Sequence, residues 1–356
     1  MYKFAVKTYL ISMLSLIFAL LMVIYVSDPY MLFHKHWFHH NKINYNMRIQ
    51  DYGLVKYGKF DGIILGTSML ENTSAAEAGS KLNVNFANLS ISGSSYFERF
   101  KVLNTALKSR PFKHVIFSLD YTFSLYHTTN ETFDPALYSG NSIIGKINIY
   151  STDKALRCIF LNKKCDFTNY NLDRPKAWYN NNFHARRFGG FENWLKYAKE
   201  DHQIKDAFEQ LRAMDTDYTA NAKFYKQIID EEVLPLLKYP NTTFSVIIPP
   251  YSALYWAKRK NFLPALLKPY QYLLEKTAQM PNVKIYWFYD EDYIFDITQY
   301  KDLTHYHYAI NSLQLDAIKN GTHILTLDNC KEKFENFIQK INDFDLQFYI
   351  DQIPND

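Results

Sequence analysis

Asp61-Gly62-Ile63-Ile64-Leu65-Gly66-Thr67-Ser68-Met69 sets the reading of this chain. A short apolar run closed by glycine at both ends has the length and bounds of a buried strand. Thr67 and Ser68 lead into a helix predicted from Met69 to about Leu82, and serine is a favoured residue at a helix N-terminus. The rhythm then repeats. Residues 84–89 read as a second strand, closed by Ser90-Ile91-Ser92-Gly93-Ser94-Ser95, with a helix predicted at about 95–107 and a third strand at 114–119. Strands alternating with helices of about 10–15 residues predict an α/β fold, a parallel sheet flanked by helices.

From about 121 to 230 this rhythm breaks into Asn- and Tyr-rich loops, the turn Arg186-Arg187-Phe188-Gly189-Gly190 and helical stretches. The segment reads as one long insertion that shapes a cleft. The α/β pattern returns with a strand at 244–248, ended by Pro249-Pro250, then a helix at about 263–278 and a strand at 283–288. A helix at about 309–319 and a C-terminal helix beyond Lys331 complete the chain, and no internal repeat is visible. The expected organisation is an N-terminal anchor at 1–28, a juxtamembrane connector at 29–58 with a helix at about 44–57, an α/β domain at 59–330 carrying the insertion, and a C-terminal helix at 331–356.

The anchor follows from residues 8–26, 19 positions without a charge and rich in Leu, Ile, Phe and Met. An apolar stretch of that length spans a hydrocarbon core as one helix. Bulky residues precede Val26-Ser27-Asp28-Pro29 where a cleavage site would need small ones, which favours an uncleaved signal anchor. Lys3, Lys7 and the terminal amine favour an inside N-terminus, against Lys35, Lys42 and Arg48 just beyond the helix. The expected location is therefore the membrane, single-pass, with the soluble part periplasmic or extracellular. Four histidines at positions 34–40 have no carboxylate or cysteine at ligand spacing, so the stretch reads as headgroup-layer aromatics and histidines, and no metal is expected.

Composition excludes other classes. With 47% hydrophobic and 17% aromatic residues the chain can bury a large core and is not disordered. A net charge of +4 without long basic runs argues against nucleic acid. Three cysteines make neither a disulfide framework nor a metal site. Cys158 and Cys165 are close enough to pair in an oxidising compartment, leaving Cys330, and three buried thiols are the alternative.

Three places could carry chemistry. Ser68 stands directly after the first strand, and ligands of open α/β sheets bind at the carboxyl ends of strands. Its N–H at a helix start can stabilise anionic oxygen, although a serine there also serves as an ordinary cap. Asp302-Leu303-Thr304-His305 can supply a base and the carboxylate that fixes its tautomer; alone among the aspartates, Asp302 has a histidine three residues on. His307 is a rival base. Gly93, after the second strand, lets backbone approach a ligand and present an N–H, or is a turn glycine.

Ser68, Gly93, Asp302 and His305, in that order across about 60–320, resemble the SGNH (GDSL-like) hydrolase superfamily. They match three of its four blocks, with Gly66-Thr67-Ser68 where the family has Gly-Asp-Ser. The third block departs: after the third strand the chain reads Ser118-Leu119-Asp120-Tyr121, without the asparagine that donates to an oxyanion. An ionised Asp120 only accepts hydrogen bonds, so it is expected to line the site or to cap a surface turn. The hole would then rest on the N–H groups of Ser68 and Gly93, or on another side chain, or the domain is a weakened relative. With its anchor the chain is similar to the DltD, AlgX and AlgJ group, which works with membrane-bound O-acyltransferases on teichoic acids or exopolysaccharides. The resemblance implies a flavodoxin-like SGNH fold and a serine acyltransferase or acylesterase. It further implies acyl groups of a cell-surface glycan as substrate, a membrane O-acyltransferase as partner and no cofactor. The alternatives are a catalytically weak glycan-binding or scaffold subunit, and a structural membrane protein whose aromatic insertion binds a partner.

Overall fold

The computed structural model describes residues 2–37, 42–44, 46–139, 142–161, 165, 167–169, 182–213 and 217–354. These fall into two compact units, one of Met1–Lys59 with Thr129–Asn171, the other of Phe60–Thr128 with Leu172–Asp356.

The first unit begins with the helix Tyr2–Ser27, in which an 18-residue stretch has a mean hydropathy of 2.5 and no residue is buried, so it is long and apolar enough to cross a membrane. Its exit is a tightly tied turn. Asp28, fully buried, accepts hydrogen bonds from the N–H groups of Leu32, Phe33 and His34 at 2.8–2.9 Å. Beyond lie the helix Met47–Tyr57, an antiparallel pair of three-residue strands (Lys42–Asn44 with Phe167–Asn169), and the helices Ser142–Tyr150 and Asp153–Leu161. Cys158 and Cys165 form a disulfide, and Cys330, in the other unit, is a buried free thiol. Part of the histidine-rich stretch, residues 38–40, lies outside the described residues.

The second unit is the α/β body. Its strands are β1 (Gly62–Leu65), β2 (Phe86–Asn88), β3 (His114–Ser118), β4 (Thr243–Ile247), β5 (Val283–Tyr286) and β6 (Ile324–Leu325). They form one sheet in the order 2-1-3-4-5-6, parallel except for β6, which pairs antiparallel with β5. Ile63, Ile64 and Leu65 are all at 0% exposure. Successive strand residues face opposite sides, so both faces of β1 are covered, as parallel sheets require. Each such fully buried aliphatic side chain contributes about 1.5–3 kcal/mol.

The helices of this unit include α1 (Ser68–Glu71), α2 (Ala75–Leu82), α3 (Tyr96–Ser109), α4 (Leu263–Thr277), α5 (Tyr308–Asn320) and α6 (Leu327–Asp343). The single helix predicted over 69–82 is two helices. Ser74 caps a new start by accepting from Glu77 N, and the Asn88 amide at the end of β2 donates to the carbonyls of Leu70 and Thr73 at 2.8 Å, satisfying the groups the break leaves open. Ser95 and Glu98 form a capping box that starts α3. The two-residue edge strand β6 and its antiparallel direction depart from the all-parallel expectation.

Candidate active site

The order 2-1-3 places the C-terminal ends of β2 and β3 on either side of β1, and a crevice opens at such a switch point. The chain leaves β1 through Gly66, where a Cβ would lie 2.6 Å from Ser118 Oγ and 2.9 Å from Leu70 Cγ. Only glycine lets the turn pass this close to β3. Thr67 is the N-cap of α1: its Oγ1 accepts from Met69 N at 3.3 Å and donates to Asp120 Oδ1 at 2.7 Å. Ser68 is thereby fixed as the first residue of α1, where a backbone N–H has no acceptor within the helix.

The partner of Ser68 comes from a loop folded back on itself between residues 299 and 307. His307 N donates to Gln299 O at 2.7 Å and Lys301 N to His305 O at 3.0 Å, with Tyr300 and Tyr306 bridged between them. Tyr300 Oη donates to Pro250 O at 2.8 Å and Ser252 Oγ to Leu303 O at 2.6 Å, tying the loop to the segment after β4. Tyr306 Oη and Asn311 Nδ2 both donate to Met69 O, at 3.0 and 2.9 Å, tying it to the residue beside Ser68.

The result is a linear hydrogen-bonded unit. Ser68 Oγ lies 2.8 Å from His305 Nε2, and His305 Nδ1 lies 2.8 Å from Asp302 Oδ2. With Nδ1 donating to the carboxylate, Nε2 carries the lone pair and accepts the serine proton. Asp302 is locked in turn, its Oδ1 accepting from Thr304 N at 3.0 Å and His305 N at 2.9 Å. Burial opposes ionisation of Asp302, but the His305 ring and its hydrogen bonds, with Lys301 4.0 Å away, hold the carboxyl well below the usual range. The rival His307 has another task. Its Nδ1 accepts from Ala309 N and caps α5, while its ring packs edge-on against Phe188.

No known family model matches this chain, and neither does any curated protein. Function then rests on the chemistry of the site.

Ser68 and His305 open into a cleft of about 210 Å³ whose wall includes Gly93, Ser94, Arg99 and Asp120. Gly93 takes φ +61°, with nothing within 4 Å of where a Cβ would stand, so its backbone is open on that side. Asp120 lines the cleft but is fully engaged: Oδ1 accepts from Thr67, and Oδ2 from Ser118 Oγ at 2.6 Å and Arg99 Nη1 at 2.8 Å. Its place is therefore structural support directly behind the neighbour of Ser68.

Arg99 escaped the sequence reading. Its guanidinium is buried, donates also to Ser118 O at 2.6 Å, and lies 4.3 Å over the Tyr96 ring. A signal existed: Tyr96, Arg99, Val102, Leu103 and Ala106 share the buried stripe of α3, and a charge there implies a partner. Ser94 was also missed; its Oγ is buried in the cleft wall without a hydrogen-bond partner among the described residues. Among the described residues, no group of three or more His, Cys, Asp or Glu side chains is placed to hold a metal ion. Chemically, the arrangement offers a hydroxyl hydrogen-bonded to a histidine that a carboxylate orients, with the open backbone of Gly93 in the wall of the same cleft.

Proposed function

We propose that this chain is a membrane-anchored SGNH-type serine acyltransferase or acylesterase acting on acyl groups, O-acetyl or similar, of an extracytoplasmic polysaccharide. The observation that carries the reading is the 2.8 Å approach of Ser68 Oγ to His305 Nε2 with Asp302 on the far nitrogen. His305 takes the hydroxyl proton as Ser68 Oγ bonds to the acyl carbonyl carbon. The oxygen that becomes negative is held by the N–H groups of Ser68 and Gly93, fixed dipoles that need no reorganisation during the reaction. His305 then returns the proton to the departing alcohol, leaving an acyl-serine. A sugar hydroxyl resolves it in a transferase and water in an esterase. The strand order 2-1-3-4-5 and the placement of Ser68, Gly93, Asp302 and His305 around one cleft support the SGNH assignment. The outward-facing topology is supported by the Cys158–Cys165 disulfide, a bond that persists in oxidising compartments.

A scaffold role has its own supporting observation. Two residues past β3 stands Asp120, which donates nothing to an oxyanion and is committed to Thr67, Ser118 and Arg99. Labelling of the full chain with a serine-reactive fluorophosphonate discriminates the two. Modification of Ser68 that disappears in Ser68→Ala and His305→Ala, with the fold retained, supports catalysis. An unlabelled, folded wild-type protein leaves the scaffold as the better account.

A further inference from the structure

The first unit carries an apolar surface that serine chemistry does not use. In the helix Ser142–Tyr150 the exposed positions Ile143, Ile144 and Ile147 share one face, while Gly145, Lys146, Ile149 and Tyr150 are buried. In the helix Asp153–Leu161, Leu156, Phe160 and Leu161 are exposed, while Ala155 and Cys158 point inward. These six side chains are 37–57% exposed. Six large aliphatic and aromatic side chains on two consecutive helices exceed the singly scattered apolar residues of an ordinary surface.

What covers them follows from where the hairpin is attached. Tyr150, its central residue, donates its hydroxyl to Asp28, the residue directly after the N-terminal helix, and accepts from Tyr30 N at 3.3 Å. Its ring stacks between Tyr30 and Phe33, with centroids 5.6 and 5.7 Å away. The same exit carries an aromatic cluster in which His34 stacks on an exposed Trp37 at 4.0 Å and contacts Tyr25 at 5.1 Å, the residue types that mark the headgroup level of a spanning helix. The Asp153–Leu161 helix packs against both the N-terminal helix and its own hairpin partner. Lys146 is buried over the Phe33 ring at 4.9 Å, so no charge interrupts the isoleucine face, and on the second helix the exposed charges beside Leu156 and Leu161, Asp153 and Arg157, pair with each other at 2.7 Å.

We infer that the hairpin of Ser142–Tyr150 and Asp153–Leu161 lies in the headgroup–acyl boundary of the leaflet from which the N-terminal helix emerges, its six apolar side chains covered by lipid. The unit is thus bitopic at one helix and monotopic at a second, with polar backbone satisfied within the helices and apolar side chains facing acyl chains. The inference rests on the N-terminal helix spanning the membrane and is independent of the serine chemistry.

The test uses the full chain in vesicles of phosphatidylcholine and phosphatidylglycerol. Nitroxide labels are placed singly at Leu14→Cys, Ile144→Cys, Ile147→Cys and Phe160→Cys, with the native disulfide checked by mass mapping. Accessibility to oxygen, which concentrates in lipid, is compared with that to a water-soluble nickel chelate. Expected is preference for oxygen at all four sites, deepest at Leu14. Chelate access at 144, 147 and 160 with Leu14 still in lipid overturns the hairpin's insertion alone. Chelate access at Leu14 overturns the spanning helix on which it rests. Protection from both reagents, or spin–spin broadening, assigns the face to a partner protein or a second copy and overturns the lipid. A photoactivatable acyl-chain lipid applied to the unsubstituted chain gives an independent reading. Cross-links within 142–161 support the inference, and cross-links confined to 2–27 refute it.

Discussion

Arg99→Met removes the positive half of a pair in which Arg99 and Asp120 are 1% and 5% exposed, separated by 2.8 Å. Breaking such a pair from one side leaves a buried carboxylate without its counter-charge, which costs about 3–5 kcal/mol. Here Thr67 Oγ1 and Ser118 Oγ still donate to Asp120. The cost therefore falls near the lower end, at about 3 kcal/mol. A unit of this size loses about 2–4 °C of Tm per kcal/mol, so the expected drop is about 6–12 °C. Near-UV circular dichroism of the detergent-solubilised full chain reads it, because Trp256 and Trp287 are fully buried in the α/β unit. Adding Asp120→Asn removes the orphaned charge. The double variant should be less destabilised than the sum of the single ones by about 1–3 kcal/mol. Fluorophosphonate labelling of Ser68 should slow in both single variants, since Asp120 holds the N-cap beside it. A Tm loss under about 2 °C for Arg99→Met, or strictly additive variants, would refute the pairing as a source of stability.

Asp302→Asn should lower turnover by about 10⁴-fold, less than loss of Ser68 or His305, because the carboxylate orients the base and takes no proton itself; equal losses at all three positions would contradict that division of roles. Because the folded-state carboxyl of Asp302 is held below its unfolded value, its contribution to stability is present above about pH 4 and is lost on further acidification, so Asp302→Asn should flatten the acid limb of a Tm-against-pH curve. Glu232 behaves oppositely. Burial raises its carboxyl to about 7, with Oε1 accepting from His127 N at 3.1 Å and Oε2 without a hydrogen-bond partner among the described residues. The folded state then holds a proton the unfolded chain releases, and stability falls as pH rises from about 4.5 to 7. Glu232→Gln should raise Tm at pH 8 and leave it unchanged at pH 4, and no difference between the two pH values would count against the burial argument. Gly66→Ala forces a Cβ against Ser118 and Leu70 and should cost about 1–3 kcal/mol with loss of labelling. Gly93→Ala meets nothing within 4 Å, so its stability cost is confined to backbone strain of about 1 kcal/mol. A large labelling defect there would place the Gly93 backbone at the reacting oxygen.

The central strands were legible because β1 and β3 are short apolar runs bounded by glycine or polar turns, a pattern that burial on both faces imposes locally. The N-terminal helix was legible for a similar reason: residues 8–26 carry no charge, and length and composition alone decide whether a helix is able to cross a membrane. Ser68 and the Asp302–His305 pair could be named from position and spacing, since each lies next to an element end that the local pattern reveals.

The rest depends on contacts far apart in the chain. The break between α1 and α2 is stabilised by Asn88, more than ten residues away, so no propensity within 69–82 announces it. β6 has only two residues, too short for any periodic signal, and exists because β5 offers a free edge. From sequence Asp120 could equally line the cleft or cap a surface turn, because its place is set by Thr67 and by an arginine on a different helix. Sequence patterns record which face of an element is apolar. Which charged groups end up opposite one another across a core is fixed only when the elements pack, since a buried charge is tolerable solely where the fold brings its partner within hydrogen-bond distance.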